Sequence, residues 1–185
     1  MKPPAVPGAL PNEIADISDL HERMEQVEKI WRESGCQRRA ALTAEQSQAL
    51  AWEITARAAP PTDAEQEKLD ATARAAMRKV LAWCRYDPDD DGLPCIFFHK
   101  SRRMAPLDFM EAPSARAWIV ASWAIWSLTT RILKASGDRA SVVEKSHAVR
   151  FTSLALKWAG YPSATAPAVS NELRRHPEFQ QLVCG

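Results

Sequence analysis

The sequence predicts an all-α domain: a multi-helix bundle with a small loop or β-hairpin insertion and a C-terminal helix-turn-helix-like pair. Three observations carry this. Glycine is scarce, six residues in 185, in a chain rich in alanine, leucine, glutamate and arginine. Apolar residues recur at three- and four-residue steps over most of the length, the period of a helix with one buried face. Capping signals stand where those periodic stretches begin, Thr43 with Gln46 and Thr62 with Glu65. The organisation expected is an arm over 1–12, a helical core over 13–137 with an irregular insertion at 87–112, and a C-terminal segment over 138–185.

Each element follows from its own residues. Pro3, Pro4, Pro7 and Pro11 keep the first twelve residues extended. A helix starts near Ile14, with Ile17, Leu20, Met24, Val27 and Trp31 as its apolar stripe, and Ser34-Gly35 closes it. Thr43 opens a second helix that runs to Pro60-Pro61. Thr62 opens a third, with Leu69, Ala73, Met77, Val80 and Cys84 on one face. The segment 85–109 then breaks the pattern with Asp-Pro, Asp-Gly and Leu-Pro turn signals, and "CIFF" fits one short strand. Ser114 caps a long helix to about Ala135. It is apolar on two faces, Ile119, Trp123 and Trp126 on one and Trp118, Ile125 and Ile132 on the other, so it belongs at the centre. Gly137-Asp138 ends it, and another helix is expected from about Ala140 to Ala159.

The composition excludes several classes. Apolar residues make up 46% and charged residues 25%, the balance of a folded domain and not of a disordered chain. The net charge of +1 hides an asymmetry. Residues 1–70 carry 8 basic and 13 acidic side chains, 71–137 carry 10 and 6, and 138–185 carry 6 and 4. An acidic front and a basic remainder fit either nucleic acid or pairing between copies. Cys36, Cys84, Cys95 and Cys184 form no C-x-x-C pair, which argues against a zinc knuckle. The proline-rich start lacks the apolar segment of a signal peptide, so free thiols in a reducing cytoplasm are expected, with Cys84 buried in the core. "AWIVASWAIWSL", bracketed by Arg116 and Arg131, is too short for a bilayer span at about 1.5 Å per residue.

No catalytic constellation is legible. Asp87, Asp89, Asp90 and Asp91 lack the bidentate glutamate of a calcium loop, and Phe98 stands where a restriction-type nuclease needs its acid. They read as a solvated turn. His21, His99, His147 and His176 never pair at i, i+4 around an acid, and no nucleophile elbow or phosphate-binding glycine loop occurs. No cofactor or metal is expected. "HKSRR" is a compact basic cluster whose Lys100, Arg102 and Arg103 are candidates for phosphate contact. Trp31, Trp83, Trp123 and Trp126 lie on apolar stripes, which favours core packing over base stacking.

The informative stretch is "AGYPSATAPAVSNELRRHPEF", residues 159–179. Phe151, Leu154, Ala155 and Trp158 form an apolar face on the helix before it, and Gly160 takes the position just past the helix end. Tyr161-Pro162-Ser163 makes a turn, and Pro167 suits the first turn of the next helix. Val169 and Leu173 point inward there, while Ser170, Asn171, Arg174 and Arg175 occupy the other side. Pro177 stops the helix, and Phe179 and Leu182 pack back on the pair. Two such helices at this spacing fit a helix-turn-helix.

Ala159-Gly160-Tyr161, the Thr165-Ala166 junction, Leu173 and His176-Pro177 with Phe179 together resemble the helix-turn-helix of phage terminase small subunits. The resemblance covers about one-eighth of the chain. It implies a DNA-binding subunit that recognises viral genome ends for a packaging motor, usually as a ring. In that family the motif lies near the N-terminus; here it is C-terminal, and the approach helix offers Phe151 alone.

Two functions are therefore expected. In the first, a phage or mobile-element protein without enzymatic activity binds double-stranded DNA, and a positive helical surface serves RNA as well. Lys145, Lys157, Arg174 and Arg175 anchor phosphates while Ser170 and Asn171 reach base edges. In the second, the protein is an adaptor that self-associates or joins a larger assembly through its acidic front and basic remainder. No membrane contact is expected in either.

Overall fold

The computed structural model describes residues 14–60, 62–85, 116–139 and 141–175, with the side chains of 14–18 and 76–85 excepted. Within them every regular element is helical: α1 (Ile14–Glu33), a short 3-10 turn (Cys36–Arg38), α2 (Ala44–Ala56), α3 (Asp63–Arg85), α4 (Trp118–Ala135), α5 (His147–Trp158) and α6 (Ala166–Arg174). The expected insertion at 87–112, the side chains of Trp83 and Cys84, the arm over 1–12 and the residues beyond Arg175 lie outside what is described.

Local sequence explains how most helices begin and end. Thr43 Oγ1 accepts from the Gln46 backbone N–H (3.2 Å) and Gln46 Oε1 accepts from the Thr43 N–H (3.0 Å), a complete capping box. At the α3 start Thr62 Oγ1 accepts from the Glu65 N–H (3.3 Å), as in such a box, but it is the Thr62 hydroxyl that donates to Glu65 Oε2 (2.8 Å). Gly160 ends α5 at φ 99°, where a Cβ would also stand 3.1 Å from that of Ala59. Only glycine suits that point.

Packing follows from α4. Twelve of its eighteen residues are buried, and it touches α2, α3, α5 and α6. Trp126 is fully enclosed with Trp123 edge-on to it at 5.6 Å, while Trp31 of α1 meets Phe151 of α5 at 5.1 Å. The central position expected for this helix is what the structure has. Two of its buried hydroxyls avoid the cost of desolvation by bonding back one turn, Ser122 to the Trp118 carbonyl and Thr129 to that of Ile125. Trp158 departs from its expected inward position. It is one of the exposed large apolar side chains, with Trp52 and Val143.

Two boundaries differ from expectation. The fifth helix starts at His147, not near Ala140, because Ser146 is its cap and the residues before it are bonded elsewhere. The Ser141 carbonyl accepts from Trp126 Nε1 (3.2 Å) and from Ser146 Oγ (3.0 Å), so it is withdrawn from any helix. Helix α4 starts at Trp118 with Ala117 at its N-cap, a residue with no side-chain acceptor. Asp70, in the middle of α3, supplies the acceptor from across the core: its Oδ1 lies 2.8 Å from the Trp118 backbone N. No described helix is long and apolar enough to cross a membrane.

Candidate nucleic-acid interface

The last two helices are fixed by side-chain to backbone bonds that span the chain. Tyr161, in the turn between them, donates its hydroxyl to the carbonyl of Arg57 (3.0 Å) or of Arg116. Burial pushes its phenol well above the usual range, with Asp70 adding to the effect. Ser153 Oγ reaches the Ala164 carbonyl (2.6 Å), closing the turn onto α5. Thr165 caps α6 through the Ala168 N–H (3.4 Å), and Pro167 lies in its first turn.

Ser170 is not a base-reading residue. It is 2% exposed, and its hydroxyl donates to the Val142 carbonyl at 2.7 Å. With its proton given to that carbonyl and its side chain enclosed, the hydroxyl does not face a base edge. The bond instead draws the 141–146 loop, which carries Lys145, against the middle of α6. Sequence placed Ser170 among the polar residues, but polarity does not show which serines bond inward.

The remaining candidates divide into three. Lys145, Lys157, Asn171 and Arg174 are exposed. Arg175 is exposed too, but Nη1 lies 2.8 Å from Oε2 of Glu172, whose side chain is buried. Its first task is to compensate that carboxylate. Lys100, Arg102 and Arg103 lie outside the described residues. Further exposed cations went unremarked in the sequence: Arg131, Lys134, Arg139 and Arg150. From Arg131 to Arg175 every described cation is exposed, whereas among the acids only Glu144 is; Asp138 is half-buried and Glu172 buried. Helices α1 and α2 expose both signs: Asp19, Glu22, Glu25, Glu28, Glu33 and Glu45 are exposed, and so are Lys29 and Arg32.

Beside α6 lies an open groove of about 700 Å³. The first half of α3 forms one wall, and the 160–163 turn with α6 forms the other. Asp70 and Arg74 face it from α3, Asn171, Glu172 and Arg175 from α6. Burial raises the Asp70 carboxyl above its ordinary value, against hydrogen bonds from the Trp118 N–H and Gln66 and the field of Arg74. Among the described residues no three His, Cys, Asp or Glu side chains gather as a metal site.

Compared with protein families, curated proteins and solved structures, the chain matches none.

Proposed function

We propose that the protein binds nucleic acid, double-stranded DNA first, through α5, α6 and the loop before them, used as a helix-turn-helix at the edge of a helical bundle. The observation that carries this reading is the one-sided exposure of charge between Arg131 and Arg175. A surface that exposes its cations and retires its acids attracts a polyanion and gains from counterion release. Lys145, Lys157 and Arg174 anchor phosphates, and Asn171 is the residue of α6 that reaches base edges. The Ala-Gly-Tyr and His-Pro spacing shared with terminase small subunits supports a genome-handling role in a phage or mobile element.

The test is fluorescence anisotropy of the full chain against labelled duplex DNA, single-stranded DNA and RNA over a salt series. The informative variant is Lys157→Glu/Arg174→Glu. Arg175 is left intact because its reversal would strand the buried Glu172. Duplex affinity should fall roughly tenfold or more, and the salt slope should shrink by about two. Unchanged affinity in this variant would remove the assignment.

A second reading, self-association through acidic α1 and α2 against the basic helices of another copy, is favoured by the exposed acids of the first two helices. Sedimentation at rising salt tests it. A strictly monomeric chain at low salt, with no partner, counts against it.

A further inference from the structure

Helix α1 packs on α2 and α5, with Val27, Ile30 and Trp31 buried on its inner side. Its opposite side carries Glu22, Glu25, Lys29 and Arg32, all exposed. The steps between these four are three, four and three residues, so they form one stripe along the helix. Two acids come first and two bases follow.

Nothing within the helix accounts for that order. The field of a helix end favours acids early and bases late, but it fades within the first or last turn. Helix α1 runs from Ile14 to Glu33, which leaves Glu22, Glu25 and Lys29 beyond that reach. A glutamate and a lysine four residues apart can pair along the helix. Here Glu25 lies instead against His21, 3.4 Å from its Nε2. Lys29 and Arg32 make no ion pair among the described residues. The stripe does not hold α1 in place either. Other side chains do so, Arg23 donating to Thr55 Oγ1 (2.9 Å) and Ser47 to the Met24 carbonyl (3.3 Å).

The order is, however, complementary to itself. A second α1, turned end for end and centred at the level of Val27, places Glu22 of each copy opposite Arg32 of the other. Glu25 then stands opposite Lys29, because both pairs share that midpoint. A two-fold axis makes the contact isologous, so the same stripe serves both copies and every pair forms twice. A parallel arrangement in register would set Glu22 against Glu22 and Arg32 against Arg32, and is repelled. The signs therefore specify orientation and register, as charges beside paired helices do. Each exposed pair contributes little, so the contact is weak and salt-sensitive.

We propose that the outer stripe of α1 is a self-pairing surface on which a second copy of the chain docks antiparallel, Glu22 to Arg32 and Glu25 to Lys29. The pairing needs neither nucleic acid nor the basic helices, so it stands apart from both readings above. In the second of those, the bases of α1 have no part.

Charge exchange tests this, read by sedimentation velocity of the full chain at low salt and high protein concentration. The wild type should dimerise, and added salt should dissociate it. Glu22→Lys/Glu25→Lys makes the stripe wholly basic, and Lys29→Glu/Arg32→Glu makes it wholly acidic. Each should lower the association constant roughly tenfold or more. An equimolar mixture of the two should dimerise again. The fourfold exchange, Glu22→Lys/Glu25→Lys/Lys29→Glu/Arg32→Glu, restores every pair and should dimerise like the wild type without joining wild-type chains. Circular dichroism checks that each variant keeps its helices. A monomeric wild type under these conditions would overturn the proposal, as would half-exchanged variants that dimerise as tightly as the wild type. So would a mixture that stays monomeric, or a dimer abolished by Lys157→Glu/Arg174→Glu, which would put the contact on the basic helices.

Discussion

Helices α2 and α4 start in opposite ways. The α2 start is self-contained: Thr43 and Gln46, three residues apart, satisfy each other's backbone. The α4 start has alanine at the cap and takes its acceptor from Asp70, 48 residues earlier. The contrast extends to the halves of the chain. Side-chain bonds of the first half are mostly one helical turn long, as in Arg57 to Glu53 and Thr55 to the Ala51 carbonyl. The second half has such bonds as well, Thr129 to the Ile125 carbonyl among them, and adds longer ones: Trp126 to Ser141, Ser170 to Val142, Tyr161 to Arg57. The basic helices are thus held in place by the rest of the molecule; of their exposed cations Arg175 pairs with Glu172 and Arg150 reaches the Glu33 carbonyl (3.4 Å). A surface whose anchoring lies behind it can exchange partners in front without loosening.

The largest effect expected on this contrast is at tryptophan. Trp126→Ala should cost about 3–5 kcal/mol in urea unfolding, through the lost ring and the cavity it leaves. It also releases the Ser141 carbonyl, so the loop bearing Lys145 loses one of its ties. Trp52→Ala, at an exposed site on α2, should stay within about 0.5 kcal/mol. Equal losses at the two sites would mean that the central helix is not the organiser of the core.

Next in size is the long-range cap. Asp70→Ala removes the acceptor at the α4 start and should destabilise by about 1–2 kcal/mol, the usual worth of a cap. Asp70→Asn keeps an oxygen for the Trp118 N–H and should cost less. The two differ in pH dependence as well. A carboxyl raised in the folded state binds its proton more tightly there than in the unfolded chain. Its contribution is therefore full below the unfolded value and is lost as pH rises through the folded one. The stability difference between wild type and Asp70→Asn should shift against the wild type over that acidic window. No shift would place the carboxylate in water.

What could be read from the sequence follows the same division. Thr43-Gln46, Thr62-Glu65, Ser34-Gly35, Gly137 and Gly160 act within a few residues, and each marks a boundary that the structure keeps. Trp31, Trp123 and Trp126 lie on the core as their spacing implies. The true start of α5 was hidden because "ASVVEKSHAV" reads as helix, while the Ser141 carbonyl is claimed by a tryptophan 15 residues away. The inward bond of Ser170 is hidden for the same reason, its acceptor lying 28 residues away. Among the candidates, Lys157, Asn171 and Arg174 are exposed on their helices, while Lys145 is exposed in the loop before α5 and not on a helix. The groove was illegible, because its residues come from three separate stretches.

Smaller again is the local cap. Thr43→Ala should cost about 1 kcal/mol and act on α2 alone. Hydrogen exchange separates this from the loss at Asp70, since fraying confined to one helix end differs from loosening where α3 and α4 meet. Protection lost in α4 as well would show that α2 is coupled to the centre more tightly than its cap implies.

The last test concerns a tie between the halves. Cys36 is fully buried, and its thiol donates to the His147 carbonyl at 3.5 Å, across 111 residues. Burial pushes it up to about 11, helped by Asp138 and opposed by the Ser34 hydroxyl and Arg150. The thiol is therefore kept protonated in the folded chain where the unfolded chain has begun to ionise. Its contribution is whole below the unfolded value and lost as pH rises from there through about 11. Relative to Cys36→Ser, which cannot ionise and keeps a donor for His147, the wild type should lose roughly 1 kcal/mol between pH 8 and pH 10. Thiol reagents should modify Cys36 at the rate of unfolding, not at that of an exposed cysteine. Rapid modification in the folded protein would mean that the start of α5 opens from α1 on its own, and the second half would then be less firmly anchored than its long-range bonds imply.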